Sequence, residues 1–573
     1  MTALTLILLA IGPQAKLTPV LLEAEVPSAG LNHSLELAES LKLDLATDQV
    51  RAIKMLRDYR AVFDTDGFAS GQGLIWYLTE RGELKSVNYW TVPSVERYYD
   101  FVESEIRRRG GETDIEPTTH RKVRLTTRDA SIPDAWSNYH DGLCVVGYSS
   151  EVHRIPLENA SRWAKAANGK QSSALLQIAA IPEDTLSRIF KRVRSDLDVS
   201  LQRRDNEGDL QHLVRKTKTE QSIALLEMIA RDATQLHVWS RLPEGDRPYE
   251  VGLRLTSRSG SDLASLLNSF PSGRSSLSIA KTGERVLLGS AEVHLAVPKS
   301  IRKHFDVSRL QSGDGVTPAS KFLWQALGSK RLDGVLVLSG SQGPSVYGAM
   351  AVTREGLSIP VLNGRHSIGD GYHLVWDAEK ALARAAIGTD PDLAVVDEYL
   401  DQKPSTTAIP LASLQFDFGD WVKKGSDKDE ASTQLVQGIE SWFDEWSAAI
   451  GKRKFSQRLK IALALAQGKE SRGLSVSRTM AFLPQMKLKG DFESALGRFD
   501  KTDGGDWTAS GKIKSERGTL TVRFSIGADL YKLFRARKLL AAKRRVNGMN
   551  SNSTAPVKAA EVREPKEGDP DNN

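Results

Sequence analysis

Alternating apolar and polar positions predict a β-hairpin near the middle of the chain. Its strands are expected over residues 236–242 and 250–256, because apolar side chains return at every second position. Gly245 and its neighbours supply the residue types of a turn. Ser261 then stands at a helix N-cap, and apolar residues follow at helical spacing: Leu263, Leu266, Leu267 and Phe270. The pattern of this stretch therefore predicts two strands followed by an amphipathic helix.

The same order of elements occurs near both ends of the chain. One copy has predicted strands over 74–78 and 86–91, and the other over 459–466 and 474–482, each followed by a helical apolar pattern. A longer helix is predicted before each of the three hairpins, over 47–63, 211–233 and 430–450.

The helix predicted over 430–450 has the clearest apolar stripe of the three. Trp442 and Trp446 belong to that stripe. We therefore expect both indoles in the core, against the third hairpin.

The recurring order predicts an α+β fold of about three repeated modules of helix, β-hairpin and helix, with mixed or antiparallel sheets. Chance similarity between strand–helix patterns is the alternative. The expected organisation is a signal peptide over 1–15, module 1 over 17–155, a helical linker over 156–172, module 2 over 173–297, a partial module or insertion over 298–404, module 3 over 405–534, and a basic helix end with a disordered tail over 535–573.

The region 298–404 breaks the period of the modules. It carries a predicted hairpin with strands over 334–338 and 346–352, and a strand–helix pattern over 372–386.

Composition narrows the class of protein. The 573 residues are 40% apolar and 26% charged, as in ordinary globular proteins. The formal net charge of +6 is scattered along the chain and does not indicate nucleic-acid binding. Cys144 is the single cysteine, which excludes an intramolecular disulfide and any zinc-finger or iron–sulfur framework. Its apolar neighbours predict a small buried side chain.

The apolar run over residues 1–11 is too short to span a bilayer and predicts a secretory signal peptide. The mature chain would begin near Lys16, and the protein would be exported to the periplasm or cell envelope. A truncated start and a buried first strand are the alternatives. No other stretch is long and apolar enough to predict a transmembrane span.

Four residues of the region 298–404 are the strongest catalytic or metal-binding candidates. His366, Asp370 and His373 carry zinc-ligand side chains, but their spacing fits an exposed polar loop better. Ser341 lies in a Gly/Ser-rich segment that lacks one glycine of a nucleophile elbow, and a hairpin turn is expected there.

Other candidate motifs are weaker. Asp500, Asp503 and Asp506 lack the oxygen-ligand pattern of a calcium loop, so a hairpin turn is expected. His140 and His153 flank the strand of Cys144 without a catalytic signature. The segment 169–172 resembles part of a phosphate loop, but Ala164 replaces the first glycine that such a loop requires.

Six aromatic residues cluster in the first module. An exposed sheet face bearing them would bind a glycan or a peptide, whereas packing between sheet and helix is the commoner arrangement. The six are Trp76, Tyr77, Tyr89, Trp90, Tyr98 and Tyr99.

The segments 141–152 and 283–293 share an apolar strand followed by a Ser-x-Glu-Val ending, written S-S-E-V in the first and S-A-E-V in the second. With the recurring strand–helix order, they resemble exported bacterial proteins built of repeated strand–helix modules. The resemblance covers most of residues 17–534. It implies an envelope location, and it implies no activity or site residues.

These observations predict a non-catalytic exported envelope or periplasmic binding or scaffold protein of unknown ligand, with no catalytic, cofactor-binding or metal residues assigned. The partner is unknown, with an envelope protein or polymer as the candidate, and nucleic acid is not expected. The alternative is a hydrolase with its site at a module junction. A third hypothesis is that the protein is an adaptor for an anionic polymer, and it rests on the basic segment 532–545.

Overall fold

The structure is a computed structural model that describes residues 18–25, 33, 36–40, 72–79, 83–92, 94, 96–100, 103, 115–119, 122–125, 135–147, 150–167, 172–203, 207–245, 247–270, 278–279, 287–297, 299–302, 328–339, 345–352, 365–369, 372–377, 382–387, 400–401, 410–424, 430–450 and 505–553.

Strands and helices account for similar shares of the described residues, and the helices lie between groups of strands along the chain. The strands are β1 Thr18–Glu25, β2 Gln72–Leu78, β3 Leu84–Thr91, β4 Ile115–Thr119, β5 Lys122–Leu125, β6 Ala135–His140, β7 Leu143–Gly147, β8 Ser172–Gln177, β9 Ala233–Arg241, β10 Tyr249–Ser257, β11 Ser278–Ile279, β12 Leu287–Ala296, β13 Arg331–Ser339, β14 Ser345–Val352, β15 Arg365–Gly369, β16 Tyr372–Asp377, β17 Leu382–Ile387, β18 Leu400–Asp401, β19 Ala412–Asp417, β20 Thr508–Glu516 and β21 Thr519–Ile526. The α-helices are α1 Glu158–Ala167, α2 Glu183–Leu201, α3 Asp209–Asp232, α4 Asp262–Ser269, α5 Lys299–Arg302, α6 Gly419–Lys424, α7 Glu430–Ile450 and α8 Ala528–Ser553, and the 3₁₀ helices are η1 Ser150–Arg154 and η2 Ile178–Ala180.

Nineteen of the described strands form one sheet, in which every pairing is antiparallel. The registers give the spatial order β4-β5-β6-β7-β3-β2-β1-β8-β9-β10-β21-β20-β19-β12-β13-β14-β17-β16-β15. Strands β11 and β18 form a separate small pair.

The predicted fold class of repeated modules was wrong. Strands assigned to different modules pair directly, β1 with β8 and β10 with β21, so the sheet runs through the supposed boundaries. The two similar strand endings also differ in their partners: β7 pairs with β3 and β6, whereas β12 pairs with β13 and β19. An isolated hairpin leaves unpaired backbone N–H and C=O groups along its outer edges. Here, strands that are distant in the sequence form hydrogen bonds with these groups.

Several individual elements were predicted correctly. The hairpins β2–β3, β9–β10 and β13–β14 lie where the alternation placed them. Helix α7 has the predicted bounds, and α3 differs from its prediction by two residues at the start and one at the end. Ser261 caps α4 by accepting a hydrogen bond from the Ala264 amide at 3.1 Å. Local signals therefore fixed local structure.

Other elements were misread. The predicted hairpin strands over 459–482 lie outside the described residues. The described C-terminal hairpin is β20–β21, joined by Arg517 and Gly518 with φ of 48° and 72°, the conformation of a two-residue hairpin turn. The helix expected after β16 is the strand β17, which pairs with β14 on one side and β16 on the other.

The two faces of the sheet are covered unequally. One face, here called face A, bears the main core against α2, α4, α6, α7 and α8, with Val251 and Phe443 among its residues. The opposite face, face B, is covered by η1 and α1 around Leu22 and Tyr89. Strand β1 is thus buried on both faces. On β10, by contrast, Glu250 is half-buried and Arg254 exposed on face B.

Trp442 and Trp446 lie within α7, but their side chains are outside the described set, so their burial stays a prediction. Phe443, on the same helix, is buried in the core of face A.

Substitution of Gly73 tests the β1–β2 contact. A Cβ at this position would lie 1.8 Å from the carbonyl oxygen of Glu23, so Gly73→Ala must displace backbone. We expect a loss of about 2 kcal/mol or more in the free energy of unfolding, measured with urea. Gly208→Ala is the matched control, because nothing lies within 4 Å of its added Cβ. Equal losses in the two variants would contradict the β1–β2 register.

Candidate functional site

An open polar groove lies on face B where β9, β10, β21 and β20 run side by side. Its volume is about 760 Å³. The lining residues are charged, hydroxyl or amide side chains apart from one glycine: Gln235, Glu250, Arg254, Thr256, Ser510, Gly511, Lys512, Lys514, Glu516, Thr519, Thr521, Arg523 and Ser525.

Period-two alternation builds this groove from strands that also form the core. On β21, Val522 and Phe524 point toward face A, while Thr521 and Arg523 line the groove. On β20, Lys512 and Lys514 occupy the corresponding groove positions. The same residues that give the strands their amphipathic pattern therefore supply the polar surface.

Four cationic side chains stand together in the groove. Arg254, Arg523, Lys512 and Lys514 are all exposed. Within the part of the chain that the structure describes, the two lysines and Arg523 form no ion pair. Lys512 lies directly opposite Arg523 in the β20–β21 register. Like charges in that relation destabilise a sheet, and an anion bound between them would remove the repulsion.

Trp239 fixes the β9 side of the groove. Its indole lies on Gly252, where a Cβ would come within 2.2 Å of the ring. The ring Nε1 donates a hydrogen bond to Glu250 Oε1 at 2.8 Å, and the Arg254 guanidinium lies 5.9 Å from the ring centroid. Trp239 is only 3% exposed. It therefore positions two charged groove residues and does not offer a stacking surface to a ligand.

A serine–histidine pair lies beside the groove. Ser173 Oγ and His237 Nε2 are 2.9 Å apart, and His237 stacks at a tilt on Trp239 with 4.9 Å between centroids. Ser173 is 1% exposed and His237 is 8% exposed. A nucleophile must reach its substrate, and this hydroxyl is covered. The pair joins β8 to β9 and is a structural contact.

A buried charge cluster lies farther along face B, on β12 and β13. His294 Nδ1 is 3.1 Å from Asp333 Oδ1, and Arg331 Nε is 2.9 Å from Asp333 Oδ2. Glu292 Oε2 lies 3.6 Å from His294 Nε2. Burial disfavours the charged imidazole, but the hydrogen bond that it donates to Asp333, together with the negative charges of Asp333 and Glu292, outweighs burial and raises the pKa of His294 to about 9.

The structure describes the backbone positions of two of the three candidate zinc ligands, His366 and His373. His366 is in β15 and His373 in β16, so both lie in strands and the predicted polar loop was wrong for them. His366 pairs with Leu374 and His373 with Ser367, which places the two histidine positions on opposite faces. Asp370 and Ser341 lie outside the described residues.

Other sequence candidates have structural roles. Asp506 accepts hydrogen bonds from Thr508 Oγ1 at 2.7 Å and from the Ala528 amide at 3.3 Å, so it joins the start of β20 to the start of α8. Asp500 and Asp503 lie outside the described residues. Among the residues described, no group of three or more His, Cys, Asp or Glu is arranged to hold a metal ion.

Cys144 is buried, as its apolar neighbours predicted, and burial raises the pKa of its thiol. It pairs with Tyr139, whereas His140 pairs with Leu143, so His140 and Cys144 occupy opposite faces. His153 lies in η1.

Half of the clustered aromatic residues are core residues. Tyr77, Tyr89 and Tyr98 expose 1% or less of their surface, which confirms the packing interpretation for them. Trp76, Trp90 and Tyr99 are half-buried. Trp76 donates from Nε1 to the fully buried Glu23 at 3.0 Å.

Sequence reasoning missed the groove residues. The alternation of residues 508–516 and 519–526 around Arg517-Gly518 was the available signal, and it places two lysines and one arginine on a single face.

Comparison of the chain with family models, curated proteins and solved structures gave no match. None of the helices that the structure describes is long and apolar enough to cross a membrane.

The pKa of His294 predicts a pH-dependent stability. Because this pKa is raised above the ordinary 6.5, protonation of His294 stabilises the fold fully below pH 6.5, and that stabilisation is lost as pH rises through about 9. The loss in unfolding free energy should reach at most about 3 kcal/mol. Urea unfolding between pH 6 and 10 should show a steeper decline for the parent than for His294→Gln. Parallel pH profiles would contradict the assignment.

Proposed function

We propose that this chain is a non-catalytic, exported binding or scaffold protein of the periplasm or cell envelope, and that its groove holds an anionic ligand. The export part of the proposal rests on the apolar run at residues 1–11. The binding part rests on the groove.

The binding proposal rests on the cationic side chains of the groove that form no ion pair with a described residue. Lys512, Lys514 and Arg523 stand on adjacent strands without ion pairs to other described residues. Their strands are held on the opposite face by the core of face A, so the backbone positions that carry the cations are fixed before any ligand arrives. Preorganisation of this kind lowers the cost of binding.

The shape of the groove favours binding over catalysis. Its cations are exposed, and its remaining lining consists mainly of hydroxyl groups that donate hydrogen bonds to oxyanions. Exclusion of water strengthens the electrostatic interactions on which many catalytic sites depend, whereas this surface is open to solvent. The groove is also a better location for the anion-binding hypothesis than the basic segment 532–545, because Arg537 and Lys538 of that segment are paired with Glu440 and Asp444.

Calorimetric titration of the full chain with sodium tripolyphosphate tests the proposal. The double variant Lys512→Gln/Arg523→Gln should bind about tenfold or more weakly, because two charge-assisted contacts are lost. Lys191→Gln/Lys216→Gln is the matched control: it removes the same charge from exposed positions on α2 and α3.

The control variant should keep the affinity of the parent protein to within about twofold, since exposed charges outside the groove act only through screened fields. An equal loss in both double variants would mean nonspecific attraction, and no loss in either would place the anion elsewhere. Either result contradicts the proposed site.

A further inference from the structure

We infer that the groove selects a compact oxyanion with several negative charges, such as a short oligophosphate or a small polycarboxylate, in preference to a long linear polyanion. This inference rests on the proposed function and adds the class of ligand. It depends on how the cations are bounded by other side chains of face B.

The cations occupy a small area. Arg254, Thr521 and Lys514 form one row across β10, β21 and β20, and Gly252, Arg523 and Lys512 form the next. Neighbouring strands are about 4.8 Å apart and successive rows about 7 Å apart. The four Cα positions therefore fit within roughly 12 Å, which matches a small anion.

Carboxylates close the cationic area in both directions along the strands. Beyond one row lies Glu516, in register with Thr519, and beyond the other lies Glu250, in register with Ser525. Glu250 is held in place by the indole of Trp239. A polyanion that continued along the strands would meet negative charge at either end.

The area is also closed across the strands. On the β19 side, Lys512 is followed by Ser413 and then by Glu292 in the same row. On the β9 side, the rows continue into the buried side chains of His237 and Trp239. Arg241 lies outside the area and stands opposite Glu250. The positive surface therefore ends within one or two strands on each side.

The hydroxyl groups complete the environment for oxyanions. Thr521 lies between Arg254 and Lys514 in the first row, and Ser510 and Ser525 border the second. Hydroxyl donors and bidentate guanidinium groups suit phosphate and carboxylate oxygens alike. Oligophosphates and polycarboxylates share this chemistry, and separate titrations with each distinguish them.

The test compares two small anions with a long one in the full chain. Tripolyphosphate, citrate and long-chain polyphosphate are titrated at several salt concentrations, with affinities expressed per bound site. At least one small anion should bind as tightly as the long polymer to within about threefold, and the salt dependence should not grow with polymer length, because the number of contacts is fixed by the site.

The variant Glu250→Gln/Glu516→Gln removes the two end carboxylates and keeps an acceptor for Trp239. It should strengthen binding of the long polymer about threefold or more, since repulsion at both ends is relieved. The affinity for the small anion should rise by a smaller factor than that for the long polymer, because a small anion lies between the two end rows and covers neither carboxylate.

Two outcomes would overturn the inference in different ways. If the long polymer binds the parent more than about tenfold tighter per site, with a steeper salt dependence, the ligand is an extended polyanion and only the compact-ligand inference fails. If no anion shows a dependence on Lys512 and Arg523, the proposed function fails with it.

Discussion

The pairing of β10 with β21 is the interaction on which the rest of the structure depends. It joins residues 249–256 to residues 519–526 in an unbroken antiparallel register. One side of this register places Val251 opposite Phe524 in the core, and the other places Arg254 beside Thr521 in the groove. A shift by one residue would turn every side chain to the other face. The core and the cationic groove thus share a single constraint.

Face B carries three polar clusters, and they differ in burial. Burial determines which of them can contact a ligand. Near β8 and β9, the Ser173–His237 pair is covered and serves as a contact between strands. Near β12 and β13, His294 and Asp333 are covered, and the raised pKa of His294 predicts a pH-dependent stability. Between these buried zones the groove is open, and its cations lack ion-pair partners in the described part of the chain. Of these three zones of described residues, the groove is the one that presents exposed charge to a ligand.

The sequence predicted what is local and missed what is distant. The hairpin β9–β10 and the N-cap Ser261 follow from alternation and capping chemistry within a few residues. Strand β17 was taken for a helix because its alanines and leucine favour one, and pairing on both sides overrode that propensity.

The candidate site was missed for the same reason. Its residues come from positions 235–256 and 510–525, and nothing local to either segment indicates that they meet. The similar strand endings suggested repeats, but similarity of pattern does not fix which edges pair. The charged alternation of β20 and β21 was readable, whereas their position beside β10 depends on long-range pairing.

A cross-linking experiment across β10 and β21 tests this account most directly. Thr256 and Thr519 are register partners whose replacement leaves all four groove cations intact. Directly opposed Cα atoms lie about 4.5–5.5 Å apart, within the range that a disulfide spans. Thr256→Cys/Thr519→Cys should therefore oxidise to an intramolecular disulfide in the folded protein and still bind tripolyphosphate, while Thr256→Cys/Thr521→Cys should oxidise poorly. Efficient cross-linking of the second pair with none in the first would contradict the register, and with it the groove.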